Sequence, residues 1–204
     1  MPRVKTYKYE ELPEGYPELM EEVKAASKPC GIYFSRDFEY PWVVKELRKS
    51  RYYKPGNKVL DIGSGCNPVP FYLKQQGLDV WCIDEQDLSK FYEDAGINFV
   101  KGSSADADGY FQMNSFALIY SISVFEHMLE DTFKRTIAQV FLLLKSKGRF
   151  IATMDIRNSI QPEGFYEDYK YEMTSYRNLK LLKHNMLTIN GRPEVGLFAF
   201  YKRW

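Results

Sequence analysis

The chain is poor in the residues that build metal clusters and disulfide frameworks. It has 3 cysteines and 2 histidines in 204 residues. Cys30, Cys66 and Cys82 form neither a metal-ligand spacing nor an even set for pairing. They read as small buried thiols of a reducing compartment, and no bound metal is expected. Charge of one sign is also lacking: 28 basic against 27 acidic residues leave a formal net charge of +1. Nothing of that size draws a nucleic acid from a distance, so nucleic acid is not expected as a partner. No apolar run approaches the roughly 20 residues of a membrane-spanning helix. The first residues do not read as a signal peptide, so a cytoplasmic location is expected. Internal repeats and low-complexity tracts are absent as well.

What remains is the composition of an ordinary folded domain, 45% hydrophobic and 27% charged. Its length suits one α/β domain with a full core. Aromatics are abundant, with 16 Tyr and 14 Phe. They serve a core first and, in part, the walls of a pocket.

Residues 1–55 read as an N-terminal helical extension, acidic and proline-punctuated at first. Pro17 opens a short helix ending near Ala26. Lys28-Pro29-Cys30-Gly31 breaks the chain. Tyr40-Pro41-Trp42 leads into a second helix to about Arg51. From residue 56 strands and helices alternate. Strands are predicted at Val59 to Ile62, Asp79 to Ile83, Ile97 to Val100, Phe116 to Val124, Arg149 to Met154 and Glu194 to Tyr201. The fourth is almost continuously apolar, as a central strand covered on both faces should be. Helices are predicted after Asn67-Pro68, at Gln86 to Asp94 and at Leu129 to Leu144. In the last of these, Phe133, Ile137, Val140, Phe141 and Leu144 recur at helical spacing. Tyr166 to Leu182 reads as a helix followed by a strand, and Gly191-Arg192-Pro193 as a hairpin-like turn. The alternation predicts a doubly wound α/β domain, with ligands bound outside the carboxyl ends of the strands.

The densest signal is Lys58-Val59-Leu60-Asp61-Ile62-Gly63-Ser64-Gly65-Cys66-Asn67-Pro68: a buried strand, an acid, a glycine-paired turn and a helix start. Glycines there let backbone approach a nucleoside. A dinucleotide site has a third glycine where this chain has Pro68, and Asp61 repels a pyrophosphate while suiting an ammonium group. An NAD-dependent enzyme is therefore disfavoured. Asp84 ends the second strand about twenty residues on, where an acid accepts ribose hydroxyls, with Glu85 as a weaker neighbour.

These residues resemble the first motifs of the class I S-adenosylmethionine-dependent methyltransferases, and the order of elements from Lys58 onward is similar to that family's. The resemblance implies a Rossmann-like, mostly parallel seven-stranded sheet with an antiparallel last strand. It implies S-adenosylmethionine as cofactor and S-adenosylhomocysteine as product. Asp61, Gly63 and Gly65 would hold the methionine portion and Asp84 or Glu85 the ribose. Ser104 and Ala105, with Asp106 as alternate, would meet the adenine. Ile119-Tyr120-Ser121-Ile122-Ser123-Val124-Phe125-Glu126-His127 resembles the fourth-strand motif and sets Ser121 and Ile122 beside the cofactor. His127 and Asp155 are the candidate bases, because histidine titrates near working pH and Asp155 ends the fifth strand. Tyr33, Tyr40 and Trp42 of the extension, with Tyr166, are candidate lid and pocket residues.

The expected reaction is methyl transfer to an oxygen of a small-molecule acceptor, such as a sugar or glycan precursor. The alternatives are transfer to nitrogen, to protein or to RNA, or a partner protein that binds the cofactor without catalysis. The Asn/Asp-Pro-Pro-Tyr element common in nitrogen enzymes is not found here.

Overall fold

The computed structural model describes residues 5–8, 11–27, 36–156, 165–189 and 192–203. The extension supplies β1 (Lys5–Lys8), α1 (Tyr16–Ala25) and α2 (Arg36–Arg48). The alternating part follows as β2 (Lys58–Ile62), α3 (Val69–Gln75), β3 (Asp79–Asp84), α4 (Ser89–Tyr92), β4 (Asn98–Lys101) and β5 (Phe116–Ile122). It ends with α5 (Glu130–Leu143), β6 (Leu144–Asp155), α6 (Phe165–Ser175), β7 (Leu179–Ile189) and β8 (Arg192–Lys202).

All strands join one sheet in the order β1-β7-β8-β6-β5-β2-β3-β4. Only β8 runs antiparallel to its neighbours, β6 and β7. The doubly wound expectation stands, with one correction to the strand count. The sheet has 8 strands rather than seven, because Lys5–Lys8 of the extension pairs in parallel with Asn185–Thr188 of β7. The extension is therefore not purely helical. Four residues gave too short a pattern to read as a strand, and the edge position tolerates their lysines.

The sheet is covered on both sides. Along β2, Val59 faces a cluster formed with α1, α2 and α3, while Leu60 faces a second cluster formed with α5 and α6. The period-two alternation of strand side chains makes this division. All seven residues of β5 are buried, which fixes it as the central strand. From β2 the chain winds out to β3 and β4 on one side, then crosses to β5 and β6 on the other. The reversal opens a crevice outside the carboxyl ends of β2 and β5.

Local departures have local causes. The helix predicted at Gln86 to Asp94 shrinks to α4 and a 3-10 turn at Glu93–Ala95, stopped by Gly96 at φ +65°. Strand β6 begins at Leu144, ahead of the predicted Arg149, because Leu144 pairs with Phe116 before a register shift. Helix α2 starts before Pro41 and carries it internally, forgoing one backbone hydrogen bond. Of the hairpin-like turn, Gly191 lies outside the described residues.

Helix α5 is held by aromatic packing. Phe133 stacks on Tyr169 of α6, with ring centroids 3.9 Å apart and planes 4° from parallel, and meets Phe125 edge-on. The Tyr169 hydroxyl donates to the Met128 carbonyl at 2.8 Å. Phe133→Ala removes the ring that joins both helices to the sheet. It should lower stability by about 3–5 kcal/mol, measured by urea unfolding. A loss under about 1 kcal/mol would mean the site collapses and refills.

Candidate active site

The loop after β2 is built by hydrogen bonds around a buried acid. Asp61 is 1% exposed. Its Oδ2 accepts from Asn67 Nδ2 at 3.0 Å, and Asn67 Nδ2 also donates to the Ser64 carbonyl at 2.5 Å. Asn67 Oδ1 accepts the Val69 N–H at 2.9 Å, so one side chain ties the acid, the loop and the start of α3 together. The backbone N–H of Gly63 donates to the Ile83 carbonyl of β3. Tyr92 of α4, buried among Phe71, Phe91 and Phe99, donates its hydroxyl to the Gly65 carbonyl at 2.6 Å.

Both motif glycines are left-handed, Gly63 at φ +65° and Gly65 at φ +48°. At Gly63 space is short as well: a Cβ there would come within 2.5 Å of Val124 Cγ1. The turn after β5 therefore packs directly on the glycine loop. A Cβ at Gly65 would meet nothing within 4 Å, so that loop backbone faces open space. Asp84, at the end of β3, accepts the Gly65 N–H on Oδ2 and the Gln86 N–H on Oδ1, both at 2.9 Å.

A cleft of about 640 Å³ opens above these strand ends. On one side its wall is Gly63, Ser64, Gly65, Cys66 and Asn67; on another, Ile122, Ser123 and Val124. Glu126, His127 and Asp155 continue it, and Arg36 and Tyr40 of α2 complete it. The structure thus brings Gly63, Gly65, Ile122, Tyr40, His127 and Asp155 into one cleft. His127 is exposed at the end of a 3-10 turn, Phe125–His127. Asp155 is half-buried, and its backbone N–H donates to Glu126 Oε1 at 3.0 Å.

The other sequence candidates lie elsewhere. Asp61 is enclosed beneath the loop. Ser121 is buried and donates to the Ile62 carbonyl at 3.0 Å, linking β5 to β2. Ser104 contacts Thr136 of α5 at 3.0 Å between hydroxyl oxygens, and Ala105 is buried beside it. Glu85 is exposed. Trp42, expected on the lid, is 1% exposed and packed in the core. Tyr166, expected on a pocket wall, lies against Gly196, where a Cβ would come 2.3 Å from its ring. Its hydroxyl pairs with His184 Nε2 at 2.7 Å. Tyr33 lies outside the described residues.

Four site residues escaped the sequence reading as functional candidates: Arg36, Glu39, Ser123 and Glu126. Glu39 and Glu126 are fully buried. Burial pushes the Glu126 carboxyl up to about 8, reinforced by the nearby Glu39 and Asp155 carboxylates. Burial opposes the Arg36 charge, but Glu39 and then Tyr40 raise its pKa above the ordinary value. The available signal for Glu39 was an acid set among Phe38, Tyr40 and Trp42 on an otherwise buried helix.

Burial also lifts Asp61 to about 7, against the hydrogen bond from Asn67 that favours its anion. A folded-state pKa above the unfolded value costs stability as pH rises from about 4 to about 7, where the unfolded chain ionises first. Asp61→Asn should therefore gain stability relative to the parent across that window and hold the gain above it. Thermal unfolding at pH 4.5 and pH 8 checks this; an equal difference at both pH values would contradict the burial argument.

Residues 60–152 match the protein family described as Methyltransferase domain. No curated protein matches the chain by sequence. Solved structures match over most of their length. A TehB-like S-adenosylmethionine-dependent methyltransferase from Corynebacterium glutamicum aligns with a TM-score of 0.62 at 20% identity, over 93% of this chain and 97% of that one. The PH0226 protein from Pyrococcus horikoshii aligns at 0.64 and 16% identity, over 93% and 92%. A Burkholderia thailandensis 1,6-didemethyltoxoflavin-N1-methyltransferase, solved with its substrate and S-adenosylhomocysteine, aligns at 0.58 and 14% identity, over 86% and 93%. The structural likenesses establish the fold, and the domain match falls on the segment that carries the glycine loop and the fourth-strand turn. The chain thus has the fold of the solved S-adenosylmethionine-dependent methyltransferases, and residues 60–152 match the methyltransferase domain family.

Proposed function

We propose that this chain is an S-adenosylmethionine-dependent methyltransferase that acts on an oxygen of a small-molecule acceptor, such as a sugar or glycan precursor. One observation carries the reading: the glycine loop and two groups able to take a proton, His127 and Asp155, line the same cleft. The residues present fit the cofactor. Gly63 and Gly65 leave backbone uncovered by side chain, and Asp61 sets an acid beneath them that suits an ammonium group. Asp84 would accept the ribose hydroxyls on the lone pairs that its two backbone hydrogen bonds leave free. Ser104 and Ala105, outside the cleft wall, are the candidates for the adenine end. Bound S-adenosylmethionine supplies an electrophilic methyl group on a sulfonium.

The protein's own work is alignment, exclusion of water and movement of one proton. His127 accepts the proton of the acceptor hydroxyl, and Asp155 orients the acceptor from the end of β6. Tyr40 and Arg36 make α2 part of the cleft wall, so the extension, residues 1–55, serves as the lid of a catalytic domain spanning 56–204. Among the described residues no helix is long and apolar enough to cross a membrane. We place the enzyme in the cytoplasm, where the three cysteines stay reduced. Transfer to nitrogen is a second reading. It is favoured by the carboxyl groups of Glu126 and Asp155 on the cleft wall, which suit an amine.

Calorimetric titration tests the cofactor roles. S-adenosylhomocysteine should bind saturably and NAD should not. Asp61→Ala should weaken S-adenosylhomocysteine at least tenfold, roughly the loss of one charge-assisted contact. Unchanged affinity in Asp61→Ala would remove Asp61 from the site. For the chemistry, an acceptor screen among sugars and small hydroxylated or amine metabolites comes first. His127→Ala should then keep cofactor affinity while lowering kcat by about 10²–10⁴-fold. Full activity in that variant would transfer the role of base to Asp155.

A further inference from the structure

The fourth-strand turn is held by a residue from outside the motif domain. Ser123, just after β5, sits in the left-handed region at φ +49°, a conformation unfavourable for a side-chain-bearing residue. Its backbone N–H donates to the Thr153 carbonyl and hydroxyl, each at 3.1 Å. Its own hydroxyl donates to Glu39 Oε2 at 2.7 Å. The Thr153 hydroxyl donates to the same carboxylate oxygen. The other oxygen, Oε1, accepts from Arg36 Nη1, which also reaches Ser123 Oγ at 2.8 Å. Glu39 is fully buried, so these bonds act without competition from water. They tie α2 to the ends of β5 and β6 at a point where Ser123 and its neighbours, Ile122 and Val124, form the cleft wall. Val124 in turn seals onto Gly63.

We propose that Glu39 is a positioning residue for methyl transfer: through Ser123, Thr153 and Arg36 it fixes the fourth-strand turn against the glycine loop and sets the shape of the cofactor and acceptor wall. This rests on the reading of the cleft as the S-adenosylmethionine site. Glu39 itself is not part of the cleft lining. A charged side chain buried only to fasten α2 would be replaceable by any group that restores packing. One that shapes the wall changes ligand binding even when the fold survives.

The test separates these roles in the full chain. Glu39→Gln keeps the volume but removes the charge, and Ser123→Ala removes one of its partners. S-adenosylhomocysteine binding is measured by calorimetry at 10 °C, after thermal unfolding shows that each variant is folded there. Each single variant should weaken S-adenosylhomocysteine by roughly tenfold, the loss of one charge-assisted hydrogen bond. The double variant should be no weaker than the weaker single one, because both substitutions cut the same link. Affinities within twofold of the parent, whatever the unfolding midpoints, would overturn the proposal and leave Glu39 a fastener. If Glu39→Gln fails to fold, Thr153→Val and Ser123→Ala carry the same comparison, with the same outcomes. A parent protein that binds no S-adenosylhomocysteine would overturn the functional reading itself, and this proposal with it.

Discussion

Burial of carboxylates at the carboxyl ends of parallel strands is the constraint on which the site depends. Asp61, Glu39 and Glu126 are all enclosed where β2, β5 and β6 end. Taking an anion out of water is expensive, and each of these acids is compensated by protein donors. Asn67 serves Asp61; Ser123, Thr153 and Arg36 serve Glu39; and the Asp155 backbone serves Glu126. The compensation is incomplete at Asp61 and Glu126, whose carboxyls are pushed up to about 7 and about 8. A domain with two packed hydrophobic faces carries that cost; a smaller core could not. An ammonium group brought to Asp61 would recover in one contact part of what desolvation took away.

The extension and the motif domain are continuous in packing. Helix α2 contributes Phe38, Trp42, Val43, Val44 and Leu47 to the core cluster that also holds Val59, Val80 and Leu118. Its polar positions do different work at its two ends. Near its start, Arg36 and Glu39 engage the strand ends beside the cleft. Near its finish, Glu46 accepts from Lys49 at 2.6 Å and Lys183 at 2.8 Å, with Arg149 at 3.9 Å. One helix is thus anchored by two buried acids, one at each end of the sheet. Packing fixes how close it lies, and the acids fix how it is turned and where it stands along its axis.

Much of the fold was legible because periodicity reports burial directly. The run Phe116 to Ile122 could only be a central strand, and Phe133, Ile137 and Val140 could only be one face of a helix. The glycine loop was legible for a different reason: few sequences place an acid, two glycines and a proline at that spacing between a strand and a helix. The parts that were missed lack such a signature. Strand β1 is four residues at an edge, held by pairing with β7 from 180 residues away. Trp42 and Tyr166 were read as pocket residues because aromatics serve both pockets and cores, and only the tertiary contacts decide between the two. Glu39 and Ser123 are 84 residues apart, and nothing in either segment announces the other.

That last separation bears on how such a site comes to be specific. The glycine loop, the acid beneath it and the acid at the end of β3 are local to two strand–turn–helix units. The rest of the cleft wall is assembled from elements distant in sequence: α2, the turn after β5 and the end of β6. Its shape depends on long-range hydrogen bonds to buried carboxylates rather than on a continuous motif. A substitution in α2 can therefore reshape that wall without touching the glycine loop. The glycine loop can be read from one segment of sequence, whereas the facing wall of the cleft is encoded in contacts that only the folded chain brings together.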